Sequence, residues 1–141
     1  MRLVVDTNVM VEAITSRSPY HEIFRSVLQG RNHLMLSNEI YLEYLEIFGR
    51  IYSEKTLTEI RLFFDYSPQI INIDPHFHFR LIEADWDDNK FVDCAICGNC
   101  DFLITSDHHF NILKTINYPR VSLISPDTFI ASMENYKKKP F

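Results

Sequence analysis

Leu3-Val4-Val5-Asp6-Thr7-Asn8-Val9 sets how the rest of the chain is read. Three apolar residues, two of them β-branched, run without alternation into an aspartate. An unbroken apolar run of this length predicts a short strand buried on both faces. Asp6 stands directly after it. The same pattern returns at Leu34-Met35-Leu36, Ile70-Ile71-Asn72-Ile73, Phe102-Leu103-Ile104-Thr105 and Val121-Ser122-Leu123-Ile124. Helical spacing fills the intervals. Residues 9–14 predict a short helix. Tyr20, Ile23, Phe24, Val27 and Leu28 form a stripe that stops at Gly30. Ser37 is placed to cap a helix carrying Ile40, Tyr44, Ile47 and Phe48 on one face. Further helices are expected over 54–65, 88–97 (with Gly98 at its C-cap) and after Asp107. A last one starts at Ser125-Pro126-Asp127, an N-cap, a first-turn proline and an early acid. For residues 76–87 the expectation is a short helix followed by a loop.

Strands and helices in alternation, with wholly apolar strands, predict an α/β fold: a three-layer α/β/α arrangement around a central, mostly parallel sheet of four to five strands. The 141 residues fit one domain, expected over 1–134, with 135–141 as a basic C-terminal tail. Hydrophobic residues at 46 % and charged residues at 23 % support a buried core and exclude a disordered chain. Three glycines leave no glycine-rich phosphate loop, so P-loop and dinucleotide-fingerprint functions are out. No apolar run is long enough for a membrane span, and the acid at position 6 comes too early for a signal peptide. Three cysteines, an odd number, suit a reducing compartment. The expected location is cytoplasmic.

In a parallel sheet, ligands bind beyond the carboxyl ends of the strands. Asp6 ends the first strand, and Asp107 lies two residues past Thr105 at the end of the fourth. Asp88 opens a helix beside that edge. Glu43 sits one turn into the helix after the second strand, with Glu39 and Glu46 flanking the same apolar stripe. Each acid alone has an ordinary structural use: an Asx turn for Asp6, an N-cap for Asp88 or Asp107, a solvated helix face for Glu43. Four together would repel one another unless some stay protonated or a cation neutralises them. Hard oxygen donors suit Mg²⁺ or Mn²⁺, and such an ion activates water for attack on phosphorus. The net charge of −5 runs against a nucleic-acid binder. Removing the four acids of a metal site leaves −1, so charge balance alone does not decide the function.

These motifs resemble those of PIN domains. Val4-Val5-Asp6-Thr7-Asn8-Val9 is similar to the family's opening strand and turn. Leu36-Ser37-Asn38-Glu39-Ile40-Tyr41-Leu42-Glu43-Tyr44 is similar to its second acidic motif. Asp85-Trp86-Asp87-Asp88-Asn89-Lys90-Phe91-Val92-Asp93-Cys94-Ala95 matches the third, and Leu103-Ile104-Thr105-Ser106-Asp107 the fourth. The resemblance implies a PIN-like fold and a Mg²⁺- or Mn²⁺-dependent endoribonuclease that hydrolyses single-stranded or structured RNA. Asp6, Glu43, Asp88 and Asp107 would be its catalytic and metal residues. Thr7 and Asn8 would hold the turn, and Thr105 would contact the metal–water network. In the third motif Asp88 is preferred, with Asp87 open. Asp93 lies about 140° around the helix from Asp88 and faces elsewhere. The resemblance is strongest to the VapC-like subgroup, toxins of toxin–antitoxin pairs, which implies an antitoxin partner and a homodimer. A catalytically silent PIN-fold module that binds RNA or protein is the alternative.

Other residues carry weaker signals. Cys94, Cys97 and Cys100 have the spacing C-x2-C-x2-C, but a zinc site would need His108 or His109 as a fourth ligand. Cys94 and Cys97 are expected near a buried helix face, where cysteine is a common core residue. His76 and His78 are expected at the surface, and Arg50 and Lys90 in surface ion pairs. Two neighbouring enzyme classes fit poorly. A haloacid-dehalogenase phosphatase wants a second Asp where Asn8 stands, and a response-regulator receiver wants an acidic pair at the first strand end.

Overall fold

A computed structural model of the chain describes residues 1–137. Five strands, β1 (Arg2–Val5), β2 (His33–Leu36), β3 (Ile70–Asn72), β4 (Phe102–Ile104) and β5 (Leu123–Ile124), form one sheet in the order β3-β2-β1-β4-β5. Every pairing is parallel. Six α-helices flank the sheet: α1 (Thr7–Ile14), α2 (His21–Leu28), α3 (Asn38–Ile51), α4 (Glu54–Tyr66), α5 (Asn89–Cys97) and α6 (Pro126–Lys137). A 3₁₀ turn spans Trp86–Asp88, and a longer 3₁₀ helix spans His108–Thr115. Among the described residues no helix is long and apolar enough to cross a membrane.

The apolar runs form the sheet because both of its faces are covered. Leu3, Val4, Val5, Leu34, Met35, Leu103 and Ile104 are all 0 % exposed. The chain leaves β1 towards β2 and β3 on one side and returns to β4 and β5 on the other. The strand order therefore reverses between β1 and β4, the place where such sheets open a crevice at their carboxyl ends. The local signals act as expected. The Ser37 side chain accepts from the Ile40 N–H and starts α3. Ile40, Tyr44 and Phe48 on its apolar face are 0 % exposed. Ser125 accepts from the Thr128 N–H at 3.1 Å at the head of α6. Gly30 follows α2 at φ 74°, a left-handed turn that a side chain disfavours.

One expectation is corrected. Residues 73–85 form no helix, and the only helical piece between β3 and α5 is the 3₁₀ turn. The cause is side-chain capture of the loop backbone. Asn89 accepts from the Ile82 N–H at 2.9 Å and donates to the Ile82 carbonyl at 2.8 Å. Asp93 accepts from the Phe79 N–H at 3.0 Å. These bonds compete with helical ones, and Ile82, 0 % exposed, pins the loop to the core. At the other end, α6 runs to Lys137, and most of the expected tail, 138–141, lies outside the described residues.

Tyr44 joins the core to the sheet edge. Its buried hydroxyl donates to the carbonyl of Val5, the residue before Asp6. Tyr44→Phe is expected to cost about 1 kcal/mol, the net value of one buried hydrogen bond. Phe48→Ala, which empties a ring-sized space, is expected to cost ~3–5 kcal/mol. Urea denaturation, with the two variants sharing the wild-type m-value, measures both.

Candidate metal centre

The carboxyl ends of β1 and β4 lie side by side, with Val5 opposite Ile104. The next residues on each strand are Asp6 and Thr105. The Thr105 hydroxyl donates to Asp6 Oδ2 at 2.9 Å and accepts from the Asp107 N–H at 3.0 Å. One buried hydroxyl thus fixes both the Asp6 carboxylate and the turn carrying Asp107. Asp107 Oδ1 in turn accepts from the His109 N–H at 2.9 Å and starts the 3₁₀ helix.

Asp88 reaches the same place from the start of α5. It is 9 % exposed, and its carboxylate makes no capping bond to the helix it opens. Its buried Oδ2 has no hydrogen-bond partner. Burial, followed by the like charges of Asp85, Asp107 and Asp6, pushes the Asp88 carboxyl up to about 7, with the nearby His109 opposing. The Asp6 carboxyl is also held above its ordinary value. Burial is the main cause, offset in part by the bonds from Thr105 and the Thr7 backbone, with Asp107 and Glu43 adding repulsion. Asp6, Asp88, Asp107 and Glu43 therefore share one electrostatic environment.

Glu43 is held differently. It accepts from the Thr7 hydroxyl and pairs with Lys90 Nζ at 3.0 Å. Lys90 is only 8 % exposed at its side chain and also pairs with Asp87 Oδ1 at 2.8 Å. Burial opposes the Lys90 charge, but the bonds to Asp87 and Glu43 outweigh it and hold the ammonium above its ordinary value. Lys90 is thus a buried pair rather than an ordinary surface one. Asp87 faces Lys90, with 74 % of its side chain exposed, while Asp88 faces Asp6 and Asp107. Asn8 is exposed, and among the described residues its side chain makes no hydrogen bond.

The group with metal-ligand spacing differs from the four acids picked out at the strand ends, of which it contains Asp88 alone. One ligand atom each from Asp85, Asp88 and His109 lie within 4.8 Å of one another, the only such group among the described residues. Asp85 was legible only as part of the acidic run before α5. His109 follows Asp107 by two residues, a spacing that places both on one turn. The donor set, mainly carboxylate oxygens with one imidazole, fits a divalent cation. The orphaned Asp88 oxygen accepts no hydrogen bond among the described residues, and His109 Nδ1 stands 3.7 Å from it. The cysteines do not make a comparable site. All three are free, Cys94 is buried, and Cys97, expected near the buried face, is exposed. Arg50 pairs only with Glu46 on the open face of α3. His78 is exposed and bonds Asp93, whose carboxylate serves the 73–85 loop.

Beside the centre, beyond Lys90, a cleft of about 470 Å³ opens between the ends of β2 and β3, the start of α3 and Asp93. A second hollow continues from Lys90 and Asp87 to Arg80 and the exposed Trp86.

A family model described as a PIN domain matches residues 2–109. No curated protein matches the chain. Among solved structures, VapBC2 from Rickettsia felis, bound to a DNA fragment from their promoter, superposes with a TM-score of 0.60 at 17 % identity, covering 89 % of this chain and 98 % of that one. FitAcB from Neisseria gonorrhoeae gives 0.58 at 14 % identity, covering 88 % and 97 %. The T. brucei RRP44 PIN domain gives 0.53 at 11 % identity, covering 96 % and 82 %. At these identities the likeness is one of fold.

The raised carboxyls have a consequence for stability without metal. A carboxyl whose folded pKa lies above its unfolded value binds more protons when folded, so ionising it weakens the fold as pH rises. For Asp88 the window runs from about 4, its unfolded value, to about 7. In EDTA, the stability of the wild type relative to Asp88→Asn is expected to fall as pH rises from about 4 to about 7 and to level off above that. Paired thermal melts check this; a pH-independent difference would contradict it.

Proposed function

Because the chain belongs to the PIN-domain family, we propose that it is a divalent-metal-dependent endoribonuclease that hydrolyses phosphodiester bonds in single-stranded or structured RNA. The observation that carries this reading is the buried, unpartnered carboxylate of Asp88 beside Asp6 and Asp107. Keeping such a group ionised costs stability unless something positive is bound there. Asp6, Asp88 and Asp107 would hold Mg²⁺ or Mn²⁺, with Glu43 beside them. When bound, the ion acidifies water and neutralises charge on the phosphoryl oxygens.

The protein's own groups then have separate tasks. Thr105 orients the Asp6 carboxylate towards the centre, and Thr7 orients Glu43. Lys90 pairs with Glu43 and with Asp87 at the mouth of the cleft. Water adds to phosphorus, one P–O ester bond breaks, and the products are a phosphomonoester and a hydroxyl. The hollow reaching Arg80 and Trp86 gives the flanking strand a cation and an aromatic face on which a base can stack. The resemblance to VapC-like sequences and the shared fold with VapBC2 and FitAcB support a toxin role. In that role an antitoxin would cover the centre, and two copies of the chain would pair.

Incubating the purified protein with a mixed single-stranded RNA tests the reading. Cleavage is expected with Mg²⁺ or Mn²⁺ and not with EDTA. Asp6→Asn should cut it about a hundredfold or more, since several kcal/mol of charge stabilisation are lost. A folded wild type that cuts nothing with either ion, and gains no thermal stability from them, would leave the silent binding module as the function.

A further inference from the structure

His109 brings a nitrogen to a centre otherwise made of oxygens. Its Nδ1 atom is buried and has no hydrogen-bond partner. It lies 3.4 Å from Asp107 Oδ1 and 3.7 Å from Asp88 Oδ2. Neither carboxylate is placed to take a good hydrogen bond from it, yet both orphaned atoms, Nδ1 of His109 and Oδ2 of Asp88, face each other. Two ligands of one ion, each ~2.1 Å from it, stand about 3.0–3.5 Å apart. The observed gaps are close to that separation. The imidazole is also held in register. Its own backbone N–H is tied to Asp107, and it lies in the first turn of a 3₁₀ helix anchored by Phe110, 0 % exposed. Asp85 closes the group from the other side, at the head of the 3₁₀ turn before α5.

We propose that His109 is an imidazole ligand of this centre, acting with Asp85 and Asp88, and that it makes the centre select Mn²⁺ over Mg²⁺. The inference rests on the reading that the centre holds a divalent ion. The chemistry behind the selectivity is general. Mg²⁺ favours oxygen donors and strict octahedral geometry. Imidazole nitrogen strengthens binding of first-row transition ions instead. An all-carboxylate centre would lack that discrimination. His108, the neighbouring histidine, has 84 % of its side chain exposed and serves as an internal control.

The test is pulsed electron paramagnetic resonance on the full chain loaded with Mn²⁺, grown with either natural-abundance or ¹⁵N-labelled histidine. Imidazole modulation of the Mn²⁺ signal is expected in the wild type, shifted by the label, kept in His108→Ala and absent in His109→Ala. Calorimetry on the same proteins should show His109→Ala weakening Mn²⁺ about tenfold or more and Mg²⁺ much less. Mn²⁺ bound with no histidine modulation, or modulation surviving in His109→Ala, would overturn the assignment while leaving the nuclease reading intact. No Mn²⁺ binding by the wild type would overturn both.

Discussion

The parallel pairing of β1 with β4 is the contact on which the centre depends. Leu3, Val4 and Val5 lie opposite Phe102, Leu103 and Ile104. That register delivers Asp6 and Thr105 to the same edge, and the bond between their side chains spans 99 residues of sequence. A slip of one residue would turn every side chain of a strand to the other face. It would carry Asp6 away from Thr105 and unseat Asp107, whose backbone hangs on the same hydroxyl. Burial of Leu3, Val4, Val5, Leu103 and Ile104, all 0 % exposed, holds the register.

The same edge concentrates negative charge, and the fold handles it in two ways. Around Glu43 and Asp87 it supplies a resident cation, Lys90, almost fully enclosed between them. Around Asp6, Asp88 and Asp107 it supplies only the Thr105 hydroxyl, a few backbone N–H groups and a histidine. The first arrangement is complete without a ligand. The second leaves a buried oxygen and a buried nitrogen unpaired. Orphaned atoms of this kind are uncommon in a purely structural cluster, and they are what the proposed ion would satisfy. A net charge of −5, which weighs against RNA as a partner, is spent partly on this centre rather than spread over the surface.

The fold was legible because its signals are local. Strands showed as unbroken apolar runs, and Ser37 and Ser125 cap the helices they precede. The parallel sheet followed from that pattern alone. The 73–85 segment was not legible, since its shape is imposed by Asn89 and Asp93, side chains of a helix that comes later in the chain. The acids at strand ends could be picked out from their positions as candidates; in the structure Asp87 pairs with Lys90, and Asp88 feels the charges of Asp85, Asp107 and Asp6. Asp85 and His109 escaped because their proximity exists only once the turn before α5 meets the turn after β4. Nor could the sequence show that Lys90 is enclosed, because burial of a lysine depends on which neighbours converge on it.

The central claim is that the Asp6, Asp88 and Asp107 carboxylates form a divalent-cation site. Crystals soaked in Mn²⁺ and measured near the manganese absorption edge test it most directly. The account predicts an anomalous-difference peak at Asp88, bordered by Asp6, Asp107, Asp85 and the His109 imidazole. A soaked crystal with Mn²⁺ only elsewhere, and the Asp88 oxygen hydrogen-bonded to protein alone, would contradict it.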